Sequence, residues 1–393
     1  MNHRQNFQAL TNKAYFNYGG QGPLPKQALE AIVTSYKEME LRGPFSGEAN
    51  AWMTQEAEET RQIIGKELGV SASSITLTED VTVGCNIALW GIDWRPGDHL
   101  LLTDCEHQGI VAAVGELQRR YDIEVSICPL KATLNEGSPV EVMAQYLRSN
   151  TRLVLISHIL WNTGQVLPLA EIIQLCRSHS TWGQPVRILV DAAQSVGVLP
   201  LNLTHLEPDF YAFTGHKWWC GPAGLGGLYI NPAILETVRP TFIGWRSVKV
   251  NSQGEPVGFK PDGRRFEIAS SSTTLYAGLR AAISLHHEEG TAEERYQRIL
   301  YLSNIVWENL RNLKGISCLK NSPPDAGLIS FTLDKDMLES GKQNDDLVRF
   351  LETKNIMVRT LLNPDCVRAC VHYFTEESEI DQLVEAILEF NKN

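Results

Sequence analysis

The run Asp209-Phe-Tyr-Ala-Phe-Thr-Gly-His-Lys-Trp-Trp-Cys-Gly-Pro222 sets one lysine at the end of an apolar segment. Phe210 to Phe213 read as a short strand, Gly215, Gly221 and Pro222 as a turn, and Gly227 to Ile230 as the strand that follows. A lysine on a turn is ordinarily a solvated surface residue, so its neighbours decide how Lys217 is read. Upstream, Val186-Arg-Ile-Leu-Val190 is a β-branched run with the character of a buried strand, and it ends at Asp191. Open α/β sheets bind ligands at the carboxyl ends of their strands, which is where Asp191 falls.

An aspartate at that place and a lysine beyond the next strand suit pyridoxal phosphate. The amine forms the Schiff base, while the carboxylate pairs with the pyridinium nitrogen and keeps the ring an electron sink. Asp191-Ala-Ala-Gln194, then Thr214-Gly-His-Lys217, then Gly221-Pro-Ala-Gly224 resemble the class V aminotransferase family, in its branch of cysteine desulfurases and cyst(e)ine C–S lyases. The similarity runs over nearly the whole chain. It implies an α/β protein of PLP fold type I: a large domain with a mainly parallel sheet sandwiched by helices, and a smaller α+β C-terminal domain. The expected division is an N-terminal arm over 1–20 near the active site and small domain, a large cofactor-binding domain over 21–260, and a connecting helix with the small domain over 261–393.

The totals exclude several classes of function. A net charge of −11 argues against nucleic acid or an anionic membrane as partner. Met1 to Gln8 lack the apolar core of a signal peptide, and no stretch approaches a membrane span, so the expected location is the cytoplasm. Eight cysteines, at 85, 105, 128, 176, 220, 318, 366 and 370, include no CxxC pair, which argues against a disulfide framework or zinc knuckle. His286-His-Glu-Glu289 sits on a predicted helix where adjacent side chains diverge, so it reads as a solvated helix end, and no metal is expected. Gly221 to Gly227 imitates a dinucleotide fingerprint, yet it leads into a strand where that fingerprint needs a helix.

Further candidates follow along the chain. Glu79-Asp-Val-Thr-Val-Gly-Cys-Asn86 opens an apolar helix whose first amides favour an anion, although Thr82 could equally be a cap. The resemblance assigns Thr82 and the backbone near Val81 and Val83 to the cofactor phosphate. It likewise implies that His107 stacks on the pyridine ring, that Gln194 bonds the phenolic oxygen, and that Thr214 and His216 make phosphate-side contacts. Ser270 and Ser271, after Arg265-Phe-Glu267, resemble a segment that reaches across a homodimer to the partner's phosphate, which implies composite active sites. Asn17, Gly19 and Gly20 resemble the segment near the substrate carboxylate, and Arg368 with Arg359 resembles its clamp, a role that suits a forked guanidinium. Asn162 is a substrate-side candidate with Trp161 competing for its column, and Trp245 is a candidate pocket wall beside Arg246.

Thr360-Leu-Leu-Asn-Pro-Asp-Cys-Val367 separates two chemistries. Desulfurases of the family carry a nucleophilic cysteine on a longer loop between the two arginines. Here the loop is short, Pro364 stands where that nucleophile would fall, and Cys366 is expected to be tethered to the strand. The expectation is therefore PLP-dependent β-elimination from cystine or cysteine, giving pyruvate, ammonia and cysteine persulfide or sulfide, with an iron–sulfur assembly acceptor as a partner. The alternatives are a desulfurase using Cys366 and another class V activity such as an epimerase.

Overall fold

The computed structural model describes residues 3–43 and 45–392. Its central sheet has seven strands: β1 (Ile75–Thr78), β2 (His99–Thr103), β3 (Glu124–Cys128), β4 (Thr151–Ser157), β5 (Arg187–Asp191), β6 (Phe210–Thr214) and β7 (Gly226–Ile230). Their order is β1-β7-β6-β5-β4-β2-β3. β2 to β6 run parallel, and β7 is antiparallel to both of its neighbours.

The near-continuous apolar runs in these strands have a simple cause. Successive side chains point to opposite faces, and both faces of this sheet are covered by helices. Leu153, Leu155 and Leu189 enter one core, whereas Val154, Ile156, Ile188 and Val190 enter the other. The helices, in chain order, are α1 (Lys26–Arg42), α2 (Gly47–Leu68), α3 (Val81–Gly91), α4 (Gln108–Tyr121), α5 (Pro139–Tyr146), α6 (Leu169–Arg177), α7 (Thr273–His287) and α8 (Ala292–Arg311). α3 and α4 cover the first face; α2, α5, α6 and α7 cover the second. α2 starts at Gly47, before the expected start near Thr54, because Ser46 caps it by accepting from the Ala49 N–H.

A second sheet contains β8 (Ile316–Cys318), β9 (Leu328–Leu333), β10 (Arg359–Leu362) and β11 (Asp365–Cys370), all antiparallel, in the order β8-β9-β11-β10. With α8, α9 (Asn344–Thr353) and α10 (Glu377–Lys392) it encloses its own core around Leu302, Leu347, Phe331, Val367 and Leu383. Two elements depart from expectation. The strand expected over 356–361 is split, since Ile356–Met357 pairs in parallel with Ala14–Tyr15 near the N-terminus while β10 pairs with β11. The stretch 251–265, expected to be a loop, contains part of a hairpin made by Val248–Val250 and Pro256–Phe259. Among the described residues, no helix is long and apolar enough to cross a membrane.

Candidate active site

The parallel strands deliver their carboxyl ends to one edge of the sheet, and the segments that follow them surround a cavity of about 250 Å³. Asp191 ends β5, Ser157 lies directly across from it at the end of β4, His107 follows β2, and His216 and Lys217 follow β6. The second sheet contributes Arg359 and Arg368, which sit opposite each other on β10 and β11. Gly19 and Gly20, from the N-terminal segment, complete the wall.

Asp191 is buried, and one carboxylate oxygen accepts the Ala193 N–H at 2.9 Å. Desolvation pushes its pKa up, against that hydrogen bond and the nearby Lys217 and His107. Lys217 has no hydrogen-bond or carboxylate partner within bonding distance among the described residues. Desolvation lowers its amine to about 8, with Asp191 pulling the other way. His107 caps α4: its Nδ1 accepts the Gly109 N–H at 3.2 Å, so the remaining proton of a neutral ring sits on Nε2. Burial lowers its pKa as well, followed by the nearby Lys217.

The start of α3 borders the same cavity through Asp80, Val81 and Thr82. Asp80, not Thr82, is the cap, and its Oδ1 accepts the Val83 N–H at 2.9 Å. The Val83 amide, expected near the phosphate, is here engaged by that cap. The Val81 and Thr82 amides and the Thr82 hydroxyl keep no acceptor in the chain among the described residues, so this helix end retains donors for an anion. Gly84 serves packing instead: a Cβ there would fall 3.0 Å from the Ala212 Cβ on β6.

Of the other candidates, Gln194 reaches the cavity and the rest are placed away from it. Thr214 is buried behind it, and its hydroxyl bonds His216 Nδ1 at 2.6 Å, so it orients the cavity residue His216. Asn17 stands just behind Gly20, with its Oδ1 buried and unpartnered. Asn162 does not line the cavity; its Nδ2 donates to the Asn363 carbonyl at 3.0 Å, and Trp161 takes the wall position. Trp245 is 64 % exposed and packs under the Arg246 guanidinium, outside the cavity of its own chain. Ser270 and Ser271 are also exposed and outside it, with Ser271 bonded to Tyr276 at 2.7 Å. Gln194 reaches the cavity while its Nε2 donates to the Gly19 carbonyl and its Oε1 accepts from Trp218 Nε1, leaving one amide hydrogen.

Sequence reasoning missed Ser157 and Ile159 as wall residues, although the position of Ser157 at a parallel strand end was a usable signal. Trp161 stands edge-on to His107 at 5.8 Å, and its carbonyl accepts from Arg368 Nη1 at 2.8 Å. Arg368 is 2 % exposed, its Nε has no acceptor, and among the described residues no carboxylate lies within 4 Å. A buried guanidinium without an acid is costly unless a ligand supplies one.

This donor set fits pyridoxal phosphate: free helix amides for the phosphate, a buried carboxylate for the ring nitrogen and an unpaired amine for the aldehyde. Among the described residues, no cysteine lines the cavity. Cys366 is buried on β11, and burial pushes its thiol up to about 12. Only Asn363 and Pro364 separate β10 from β11, so the hairpin tip carries no thiol.

Comparison with known proteins agrees with this geometry. Two structures of the cystine C–S lyase C-DES, one a mutant with glycine covalently linked to the PLP cofactor and one a complex with its reaction product cysteine persulfide, are 49 % identical to the chain. They superpose with TM-scores of 0.95 and 0.94, covering 98 % of this chain and 99 % of theirs. Isopenicillin N epimerase of Streptomyces clavuligerus is 26 % identical over 389 residues, covering 94 % of this chain and 93 % of that protein. A cysteine desulfurase of Escherichia coli O157:H7 is 27 % identical over 395 residues, covering 95 % and 92 %. The family model "Aminotransferase class-V" matches residues 14–383, and the chain belongs to that family.

Proposed function

We propose that the chain is a pyridoxal-phosphate-dependent cyst(e)ine C–S lyase that cleaves cystine to pyruvate, ammonia and cysteine persulfide, or cysteine to pyruvate, ammonia and sulfide. The observation that carries this reading is the pairing of a buried Arg368, without an acid partner, with a cavity that holds Lys217 and Asp191 and, among the described residues, no lining cysteine. The extensive likeness to the cystine lyase C-DES supports it.

When bound, the cofactor supplies an electron sink for the pair left behind at Cα. Arg368 holds the substrate carboxylate, with Arg359 as the second cation at the rim. Asp191 would keep a proton at the ring nitrogen, and His107 would be a cavity-wall residue beside the ring. With substrate in the cavity, Lys217 would take the Cα proton as a base. The Cβ–S bond then breaks, and a persulfide leaves more readily than a simple thiolate. Water consumes the remaining three-carbon fragment, so one cystine and one water give pyruvate, ammonia and cysteine persulfide.

The same proposal includes a homodimer. α1 exposes Leu29, Val33 and Tyr36 on one face, and Phe242, Ile243 and Trp245 are exposed together near Ile268. On this reading Ser270, Ser271 and Trp245 complete the partner's cavity. The persulfide would pass to an iron–sulfur assembly acceptor in the cytoplasm, a reducing setting that suits eight free cysteines. The arm over 1–20, the cofactor unit over 21–260 and the C-terminal remainder are proposed as its working parts.

Product analysis tests the reading. Pyruvate in step with cystine loss is expected; alanine would replace the proposal with desulfuration, and an unchanged amino acid of inverted configuration would replace it with epimerisation. Two further outcomes follow from the geometry. A Cβ at residue 19 would fall 3.0 Å from Arg368 Cζ and Nη2, so Gly19→Ala is expected to raise KM by about tenfold, the worth of one weakened charge-assisted bond, with a smaller change in kcat. Lys217 loses its proton below the ordinary lysine range, near a pH of about 8, and only the neutral amine adds to an aldehyde. Stripped protein should therefore recombine with the cofactor faster as pH rises through about 8, then level off, when followed by absorbance.

A further inference from the structure

Behind Lys217, buried atoms of Cys220, His286 and His372 converge within 4.8 Å of one another, the spacing of a metal site. His286, expected from the sequence to stand in water, is 3 % exposed because the end of α7 packs under Tyr373 and Arg295. The hydrogen bonds give the cluster a different meaning. His372 Nε2 lies 2.9 Å from the Trp218 carbonyl, and His286 Nε2 lies 2.9 Å from the Trp219 carbonyl. A carbonyl oxygen can only accept, so both Nε2 atoms carry a proton.

The other nitrogens are occupied as well. His372 Nδ1 accepts the Tyr373 N–H at 3.0 Å, and His286 Nδ1 meets the Tyr373 hydroxyl at 2.7 Å. Neither ring keeps a lone pair for a metal. Burial holds both imidazoles neutral, with His372 down to about 3, and the Cys220 thiol is pushed up rather than toward thiolate. The two rings are stacked, with centroids 5.5 Å apart.

The carbonyls they hold are the two that immediately follow Lys217. The same turn is held elsewhere by the Gly22 N–H on the His216 carbonyl and by Cys220 N–H on the Lys217 carbonyl. His372 enters it from the segment just past β11, the strand that carries Arg368. We propose that His372 is a positioning residue, paired with His286, that ties the Arg368 strand to the turn of Lys217 and so sets the lysine amine relative to the carboxylate clamp. This rests on Lys217 being the cofactor-bearing lysine, but on no particular amino-acid substrate.

The test compares His372→Phe, which keeps a ring without a donor, with His372→Gln, whose amide reaches toward the same carbonyl. In the holoenzyme, His372→Phe should lower kcat roughly tenfold or more with little change in KM, the scale of a slightly misplaced reacting group. In cofactor-free protein, hydrogen exchange across residues 217–220 should speed up while the unfolding midpoint stays near that of the parent, and His372→Gln should recover most of both effects. Equal loss in the two variants, a parent-like His372→Phe, or a loss that only tracks stability would overturn the proposal. A measurement on the unaltered protein stands beside it in case His372→Phe fails to fold. Nitrogen-15 histidine spectra should show two slowly exchanging, neutral Nε2–H rings, whereas stoichiometric zinc or Nδ1–H tautomers would refute the arrangement. Failure here would leave cofactor attachment at Lys217 intact, and failure of that attachment would be seen separately as loss of the lysine–cofactor absorbance.

Discussion

Lys217→Ala should eliminate turnover, by about 10⁴-fold or more, while leaving the fold and some cofactor binding in place. The expectation combines two losses, the covalent link and the base that moves the Cα proton, each a large term alone. The side chain is well suited to both tasks. It has no partner among the described residues, and desolvation holds its amine near a pKa of about 8, so a useful fraction is neutral near neutral pH. The fold should survive because the turn is fixed by backbone bonds to Gly22 and Cys220 and by the two buried histidines, none of which uses the lysine side chain. Visible absorbance of the lysine–cofactor bond, circular dichroism and cystine consumption, measured together, check the result. Retained turnover in a variant lacking the amine would remove Lys217 from the chemistry.

The second large contrast concerns a single cysteine variant. Cys366→Ala is expected to leave pyruvate formation within about twofold of the parent, whereas removal of a true desulfurase nucleophile would stop the reaction. Cys366 lies flat in β11, paired with Leu361 and wholly buried. A thiol raised to about 12 carries almost no thiolate at neutral pH, and it has no free loop on which to reach the cavity. Removing a buried sulfur costs stability, on the order of 1 kcal/mol or more, so thermal unfolding should accompany the assay. Complete loss of product formation with an intact fold would reverse the ranking of lyase over desulfurase.

The sequence made the parts of the site with strong chemistry readable. Asp191 and Lys217 fall at the ends of apolar strands, and a parallel sheet brings strand ends to one edge whatever the details of packing. Arg368 was readable through its resemblance to the family's carboxylate clamp, a role that a forked guanidinium suits. Details that depend on which neighbour reaches an atom first were hidden. Asp80 takes the Val83 amide, a competition with Thr82 that spacing alone leaves open. Trp161 and Asn162 are adjacent, and only the contact of Asn162 with Asn363, two hundred residues along the chain, turns it from the cavity. The burial of His286 likewise depends on His3 and Tyr373, which close over the end of α7 from the two ends of the chain. The split at Val358 arises because the N-terminal segment supplies a pairing strand from outside the local sequence.

Borohydride reduction of the cofactor-loaded protein, followed by digestion and peptide mass analysis, addresses the central claim most directly. The account predicts one pyridoxyl phosphate group per chain, carried by the peptide that contains Lys217, and none in protein where Asp191→Asn and Lys217→Ala are combined. A label on any other lysine, or none on fully loaded protein, would contradict it.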